Sequence, residues 1–200
     1  MQTTMLFAAV TVFGLAAVNE SIRALAKRKE AIFGGGCFWC MEPPFAQLDG
    51  VLEVTAGYSG GDEANPTYEQ VSSGQTSHYE AVRVVYDPAL ISYRQLLETF
   101  WRQIDPTDAG GQFADRGRHY RTAIFYSTPE QRKEAELSLA DLQQSGVFSK
   151  PIVTAILPAG PFYPAEDYHQ DYYLKNIQHY NSYKVGSGRA GFLQRVWKEA

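Results

Sequence analysis

The 200-residue chain contains only two cysteines, Cys37 and Cys40, and they lie three positions apart. A disulfide that closes a loop of about four residues stabilises a fold by only about 2 kcal/mol in the chain-entropy treatment. A chain of this length buries a hydrophobic core large enough to fold without such a link. The scarcity and the spacing of the two thiols therefore indicate chemistry rather than a structural cross-link.

Charge of one sign and long apolar runs are also scarce. The formal net charge is −4, and the lysines and arginines are scattered along the chain, which argues against a partner such as DNA or RNA. No apolar run reaches the roughly 18 to 20 residues of a membrane-spanning helix. The sequence shows no internal repeat and no low-complexity tract. We therefore expect one globular domain without a nucleic-acid partner.

Residues 1–28 form an apolar extension that differs from the rest of the chain. The run from Met5 to Val18 has the length of a signal-peptide h-region, and Ala16 and Ala17 are small residues near a candidate cleavage site. No lysine or arginine precedes this run, so an ordinary N-terminal helix is the alternative. We expect a signal or tethering segment and an exported or periplasmic location, with a cytoplasmic location as the alternative. Residues 29–200 then form a single catalytic domain.

Hydrophobic periodicity predicts the element order β-α-β-β-α-β-α-β. The predicted strands are 29–33, 50–61, 78–88, 121–127 and 151–159, and the predicted helices are 37–48, 92–104 and 129–146. Residues 60–76 and 105–120 are predicted as long loops, and the tail from residue 161 as irregular. This order predicts an α/β (α+β) two-layer sandwich of the ferredoxin-like, split βαβ type with a mixed sheet.

Cys37 follows three glycines where a predicted strand turns into a helix. Unpaired backbone N–H groups and the positive end of the helix dipole stabilise a thiolate at such a junction. We therefore expect a lowered pKa at Cys37 and a nucleophilic sulfur. Cys40 lies one helical turn further on the same face, within reach of an oxidised Cys37. It is a candidate resolving thiol.

Two other readings of the Cys-x-x-Cys pair remain open at this point. The pair is half of a zinc site, but the four histidines form no pair with the spacing of the missing ligands. The pair is also typical of a general thiol-disulfide oxidoreductase. The bulky Phe38 and Trp39 between the cysteines favour an apolar pocket over an open exchange surface. We expect no metal and no organic cofactor.

Four motifs occur in order: GGGCFWCME, GYSGG, NPTYEQVSSGQTSHYEAVRVVYDP and FWRQIDPT. From about residue 30 to about residue 175, the chain resembles the A-type peptide methionine-S-sulfoxide reductase family. The resemblance implies reduction of free or protein-bound methionine S-sulfoxide to methionine. A cysteine sulfenic acid and a Cys37–Cys40 disulfide would be the intermediates, and a thioredoxin-like protein would be the reductant. We expect the protein to be a monomer.

The resemblance also implies roles for individual side chains. Cys37 is the implied catalytic nucleophile. The implied substrate-site residues are Phe38 and Trp39 for the S-methyl group, Glu80, Tyr68 and Tyr120 around the sulfoxide oxygen, and Asp115 as a further acid. Many members of the family carry resolving cysteines in the C-terminal tail, and this tail has none. Cys40 must take that role, or the resolving thiol comes from another molecule.

The chemistry of the substrate supports these roles. A sulfoxide needs an aromatic wall for its methyl group and donors for its oxygen. A buried, neutral carboxylic acid would protonate that oxygen, and Glu80 suits this task, although an arbitrary strand glutamate is usually exposed. His78 shares the predicted strand face of Glu80 and is left unassigned. For the three polar residues of the tail, a solvated helix face is favoured over the pocket wall; they are Glu166, Asp167 and His169.

Overall fold

The computed structural model describes residues 28–197. The predictions for the N-terminal extension fall on residues 1–28 and lie outside the described residues, apart from its last position. Within the described part, no helix combines the length and the apolar character needed to cross a membrane.

The described chain contains eight strands and seven α-helices. The strands are β1 (Lys29–Gly35), β2 (Val51–Ser59), β3 (Tyr79–Tyr86), β4 (Gly111–Gln112), β5 (Asp115–Arg116), β6 (Thr122–Tyr126), β7 (Ala155–Pro158) and β8 (Phe162–Pro164). The helices are α1 (Phe38–Ala46), α2 (Tyr68–Ser72), α3 (Tyr93–Trp101), α4 (Pro129–Gln144), α5 (Tyr172–Lys175), α6 (Ile177–Gly186) and α7 (Arg189–Val196). A 3-10 turn spans Arg118–Tyr120.

The main sheet has six strands in the order β7-β6-β1-β3-β2-β8. Its four central strands, β6, β1, β3 and β2, are antiparallel to one another, which is the arrangement of a split βαβ unit. β7 pairs parallel with β6, and β8 pairs antiparallel with β2. The predicted ferredoxin-like topology and the mixed sheet are therefore confirmed.

Residues of the central strands alternate between the two faces of the sheet. On β3, Val82, Val84 and Tyr86 face the helical layer and belong to the main core. Phe33 of β1 stacks on Phe45 of α1 and on Phe100 of α3, with ring centroids 5.2 Å apart in both pairs. Because Glu80 lies two residues before Val82, the same alternation directs its side chain towards α1.

Three predictions of irregular structure are wrong in detail. The predicted loop 60–76 contains α2, which begins with a capping box. The Thr67 hydroxyl accepts a hydrogen bond from the backbone N–H of Gln70, and the Gln70 side chain accepts one from the backbone N–H of Thr67. The predicted loop 105–120 contains the β4–β5 hairpin. The tail from 161, predicted as irregular, contains β8 and three helices. These tail elements form because β8 has an edge strand, β2, to pair with, and because tail aromatic rings pack against α1.

The glycines before Cys37 have different tasks. β1 extends two residues beyond its predicted end, so Gly35 still pairs with Thr122. A Cβ on Gly35 would lie 2.4 Å from Sδ of Met41, and real side-chain atoms do not approach so closely. Gly36 makes the turn with φ +82°, a conformation that favours glycine. The close contact between Gly35 and Met41 fixes α1 against the end of β1.

Candidate active site

Cys37 is the residue at which the chain enters α1. The backbone N–H of Cys40 donates a hydrogen bond to the carbonyl of Cys37 at 3.0 Å, which closes the first helical turn. The two cysteines form no disulfide, and they are only 5% and 2% exposed. The pair therefore lies on consecutive positions of one helical turn, as the spacing predicts.

The predicted lowering of the Cys37 pKa is wrong. Burial raises the pKa of Cys37 well above its ordinary value, and the hydrogen bond with Cys40 and the negative charge of Glu80 raise it further. The hydrogen bond with Cys37 and the positive charge of Arg189 lower the pKa of Cys40 to about 7, against the effect of burial. In the resting protein, desolvation at Cys37 outweighs the effect of its position at a helix N-terminus.

Glu80 lies beside the start of α1 and is only 1% exposed. The backbone N–H of Phe38 donates a hydrogen bond to its Oε2 at 3.1 Å. Burial raises the pKa of Glu80 to about 8, although this hydrogen bond opposes the shift. The carboxyl group is thus mostly protonated at neutral pH, as the sequence argument for a proton donor requires.

Two tyrosines from different parts of the chain surround the same point. Tyr68 opens α2, and Tyr120 ends the 3-10 turn, so neither belongs to an irregular loop as predicted. Burial raises the pKa of each hydroxyl, and the charges of Glu80 and Cys37 raise both pKa values further. The Tyr68 ring also packs against His169 of the tail, with ring centroids 4.5 Å apart.

Asp115 of β5 reaches this site through a tyrosine of the tail. The hydroxyl of Tyr183, on α6, donates a hydrogen bond to Oδ2 of Asp115. The Tyr183 hydroxyl also lowers the pKa of Cys37, which counteracts part of the effect of burial. The sequence argument missed Tyr183, because nothing in its local sequence separates it from the other tail tyrosines.

Phe38 and Trp39 line the site as part of a larger aromatic wall. The Trp39 ring stacks on Tyr172 of α5 with centroids 3.8 Å apart and planes 7° apart. Phe38 packs against His169 at 4.9 Å and against Tyr58 of β2 at 6.1 Å. The aromatic rings of Phe38 and Trp39 therefore pack with one ring of β2 and two rings of the tail.

His169 and Glu166 correct the expectation of a solvated helix face. His169 is 2% exposed, and its Nδ1 accepts a hydrogen bond from Nε1 of Trp39 at 3.0 Å. Glu166 accepts hydrogen bonds from the Tyr58 hydroxyl and from the Tyr68 backbone, both at 2.8 Å. Of the three polar tail residues, only Asp167 is exposed. Glu166 and His169 therefore belong to the pocket wall.

The unassigned His78 holds a loop. It is fully buried, its Nδ1 accepts from the backbone N–H of Gly61 at 3.2 Å, and its Nε2 lies 2.7 Å from the carbonyl oxygen of Glu63. His78 therefore supports the segment that leads to α2. Within residues 28–197, no group of three or more histidine, cysteine or carboxylate side chains is placed to hold a metal ion.

Arg189 is a further buried group next to the cysteine pair that the sequence argument missed. The guanidinium lies beneath the glycine turn, where a Cβ on Gly36 would come within 2.8 Å of its Nη2. An arginine on an amphipathic helix is usually exposed, so no local signal distinguishes this residue from the nearby Arg195.

Known sequences are similar to this chain over almost the whole described domain. Residues 29–200 match the family model described as Peptide methionine sulfoxide reductase. The chain is 58% identical over 171 residues to the protein named Peptide methionine sulfoxide reductase MsrA from Bacillus licheniformis. That match covers 86% of this chain and 94% of the relative.

Solved structures are similar as well. The reduced form of Mxr1 from Saccharomyces cerevisiae matches with a TM-score of 0.72 and 33% identity, over 76% of this chain and 88% of that one. Mxr1 in complex with Trx2 matches with a TM-score of 0.52 and 26% identity, over 74% of this chain and 86% of that one. The likeness thus extends to a member solved with a partner protein.

Proposed function

The chain belongs to the peptide methionine sulfoxide reductase family, and we propose that Cys37, Glu80 and Cys40 carry out the family's reaction in it. The overall activity is thioredoxin-dependent reduction of methionine sulfoxide. The observation that carries the assignment of residues is Glu80, a buried acid that is protonated at neutral pH and lies beside a buried thiol.

Substrate binding follows from the two kinds of surface beside Cys37. Phe38 and Trp39 offer an apolar wall to the S-methyl group of the sulfoxide. Glu80, Tyr68 and Tyr120 offer O–H donors to its oxygen, since burial keeps all three protonated at neutral pH. The sulfoxide sulfur then lies next to the Cys37 sulfur.

The first chemical step transfers oxygen from the substrate to Cys37. The Cys37 sulfur attacks the sulfoxide sulfur and forms a transient S–S bond, while Glu80 gives a proton to the oxygen, where negative charge develops. The oxygen then passes to the Cys37 sulfur as the transient S–S bond and the S–O bond of the substrate break, so Cys37 becomes a sulfenic acid and methionine leaves. The proton of the Cys37 thiol restores the Glu80 carboxylic acid.

The second step uses the thiol one turn away. Cys40 attacks the sulfenic sulfur of Cys37, a disulfide forms, and the oxygen leaves as water after protonation. The backbone hydrogen bond from Cys40 to the carbonyl of Cys37 supports this step, because it holds the two cysteines one helical turn apart. A thioredoxin-like dithiol then reduces the disulfide. Asp115 is a substrate-site residue that acts together with Tyr183.

General disulfide exchange is not favoured as the activity. Such exchange starts from a thiolate at the first cysteine of the pair. Here burial raises the pKa of Cys37 well above its ordinary value, so the resting protein holds this sulfur as a thiol. Turnover of a methionine sulfoxide ester, compared with refolding of a protein with scrambled disulfides, distinguishes the two activities.

The substitution Glu80→Gln tests the assignment. We expect the fold to persist and the rate of sulfoxide reduction to fall by about 10²-fold or more between pH 5 and pH 8, the usual scale of general acid catalysis. Glu53→Gln on the neighbouring strand β2 is the matched control, since Glu53 is exposed. Rates of the Glu80→Gln variant close to those of the parent across this pH range would remove Glu80 from the mechanism.

The protein is proposed to act as a monomer, because every side chain of the candidate site comes from one chain. Light scattering on the purified protein checks this proposal. A mass near 22.4 kDa for the full chain is expected. A stable dimer that dissociates with loss of activity would contradict it.

A further inference from the structure

Arg189, the first residue of α7, lies in the interior of the protein and is 1% exposed. Its Nη2 donates to the carbonyl of Gly35 at 2.9 Å, and its Nη1 donates to the carbonyl of Gln103 at 2.6 Å. Nη1 also lies 3.7 Å from Sδ of Met41. The guanidinium carbon lies 4.7 Å from the centre of the Phe113 ring. All of these partners are electrically neutral.

Within residues 28–197, no aspartate or glutamate oxygen lies within the 4.0 Å of an ion pair with Arg189. Arginine keeps its charge in protein interiors, and burial of a charge without an opposite charge is strongly unfavourable. A neutral side chain could make the same two hydrogen bonds without the free-energy cost of desolvating a charge. The charge therefore indicates a nearby group that becomes negative.

The cysteine pair is that neighbour. Arg189 binds the carbonyl of Gly35, two residues before Cys37, and touches Met41, the residue after Cys40. Its positive charge contributes to the lowered pKa of Cys40. The charged or titratable groups that act on Cys40 are Cys37 on the same helix, Glu80 on β3, Asp115 on β5, Tyr180 and Lys184 on α6, and Arg189 on α7.

We propose that Arg189 is a positioning residue for the second chemical step, in which its buried charge holds Cys40 as the thiolate that attacks oxidised Cys37. This inference rests on the proposed function. In the step, the Cys40 thiolate forms the S–S bond, the S–O bond of the Cys37 sulfenic acid breaks, and the departing hydroxide takes up a proton to become water. The sulfenic sulfur is reduced and the Cys40 sulfur is oxidised, so the electrons balance.

The proposal assigns Arg189 to the second step and not to the first. Attack on the sulfoxide uses Cys37 and Glu80, and burial is the largest influence on the pKa of each group. Removal of the charge should therefore slow formation of the disulfide and leave formation of methionine within about twofold of the parent. A residue with only a structural role would affect both steps together.

The test measures the thiolate of Cys40 directly, by its absorbance at 240 nm, in a Cys37→Ser background whose hydroxyl keeps a donor next to Cys40. Arg189→Met should raise the pH midpoint of that titration by about one unit, within the range that a nearby opposite charge produces. Arg189→Lys retains a positive charge and should keep a midpoint close to that of the Cys37→Ser parent. Arg195→Met, an exposed change on the same helix, is the control for net charge.

A second measurement follows single turnovers of variants with both cysteines, without reductant. Arg189→Met should form the disulfide about fivefold more slowly at pH 7, because about one unit in the midpoint changes the thiolate fraction by that factor. The difference should disappear near pH 9, where Cys40 is ionised with or without the arginine. A difference that is the same at pH 7 and pH 9 would indicate a structural role and would overturn the proposal.

An unchanged Cys40 titration in a folded Arg189→Met protein would overturn the proposal as well. Should the methionine variant fail to fold, Arg189→Gln keeps an N–H donor for the carbonyls of Gly35 and Gln103 and allows the same titration. The titration uses no substrate, so its result is separate from the proposed function. That function would fail instead on the absence of methionine formation by the parent protein.

Discussion

Two parts of the chain meet at Cys37, and they differ in what they supply. The junction between β1 and α1, helix α1 itself and strand β3 carry the proposed reacting groups, Cys37, Cys40 and Glu80. The tail after residue 165 carries none of them, yet it covers the thiols with Tyr183 and Arg189. The comparison teaches that the ferredoxin-like core positions the chemistry, whereas the tail sets the surroundings in which it proceeds. Substitutions in the two parts should differ in size accordingly.

The largest effect is expected at the core position that starts the reaction. Cys37→Ser should abolish sulfoxide reduction, because a hydroxyl group is a far weaker nucleophile than a thiol at neutral pH. Methionine released from a sulfoxide substrate is measured by chromatography. Residual reduction above the level of a Cys37→Ser/Cys40→Ala control would show that Cys40 substitutes as the nucleophile and would contradict unequal roles within the core.

Cys40→Ala should divide the reaction into its two steps. Without reductant, the variant should still convert about one equivalent of sulfoxide per protein molecule, since that attack needs only Cys37 and the oxygen-binding groups. It should then stall with thioredoxin, because no disulfide forms, while dithiothreitol restores some turnover. Cycling with thioredoxin as fast as the parent would mean that the resolving thiol comes from elsewhere.

A smaller effect is expected from the tail. Tyr183→Phe removes the hydroxyl that hydrogen-bonds to Asp115 and lowers the pKa of Cys37. We expect a loss of about fivefold in kcat/KM, which corresponds to one hydrogen bond of about 1 kcal/mol. Tyr173→Phe on α5 is the control. A loss as large as that of Glu80→Gln would break the distinction between core and tail, because the tail would then take part in the chemistry.

The smallest effect is expected from the N-terminal extension. Deletion of residues 1–26 should leave activity unchanged within about twofold. Every candidate site residue lies after this segment, and its apolar run is predicted to be a signal or tethering segment. Activity and thermal unfolding of the shortened protein are measured next to those of the full chain. Loss of folding on deletion would show that the extension belongs to the domain.

The core was largely predictable from sequence, for a physical reason. Its strands and helices carry apolar residues with periods of 2 and 3.6, and those periods follow from backbone geometry. The buried position of Glu80 also has a local cause, since it continues the row of Val82 and Val84. The α2 helix was missed although Thr67 and Gln70 form a capping box that was visible in the sequence.

The tail was less predictable, because its burial depends on contacts with distant parts of the chain. His169 is a pocket residue because Trp39, 130 positions away, donates to it. Arg189 is buried because it meets Gly35, which lies 154 positions away. The pKa of Cys37 was predicted in the wrong direction for the same reason: the helix N-terminus is local, whereas the desolvation that outweighs it comes from the whole fold.

The packing of Met41 against Gly35 and Arg189 affects how readily oxidants reach its sulfur. The chain has three methionines, and Met41 is the only one within residues 28–197. It has no exposed surface, and its sulfur lies against the guanidinium of Arg189. Peroxide oxidises accessible methionine sulfur, so the described domain presents no such sulfur to the oxidant. Under oxidative stress, one copy of this domain is therefore not converted into a methionine sulfoxide substrate for another copy.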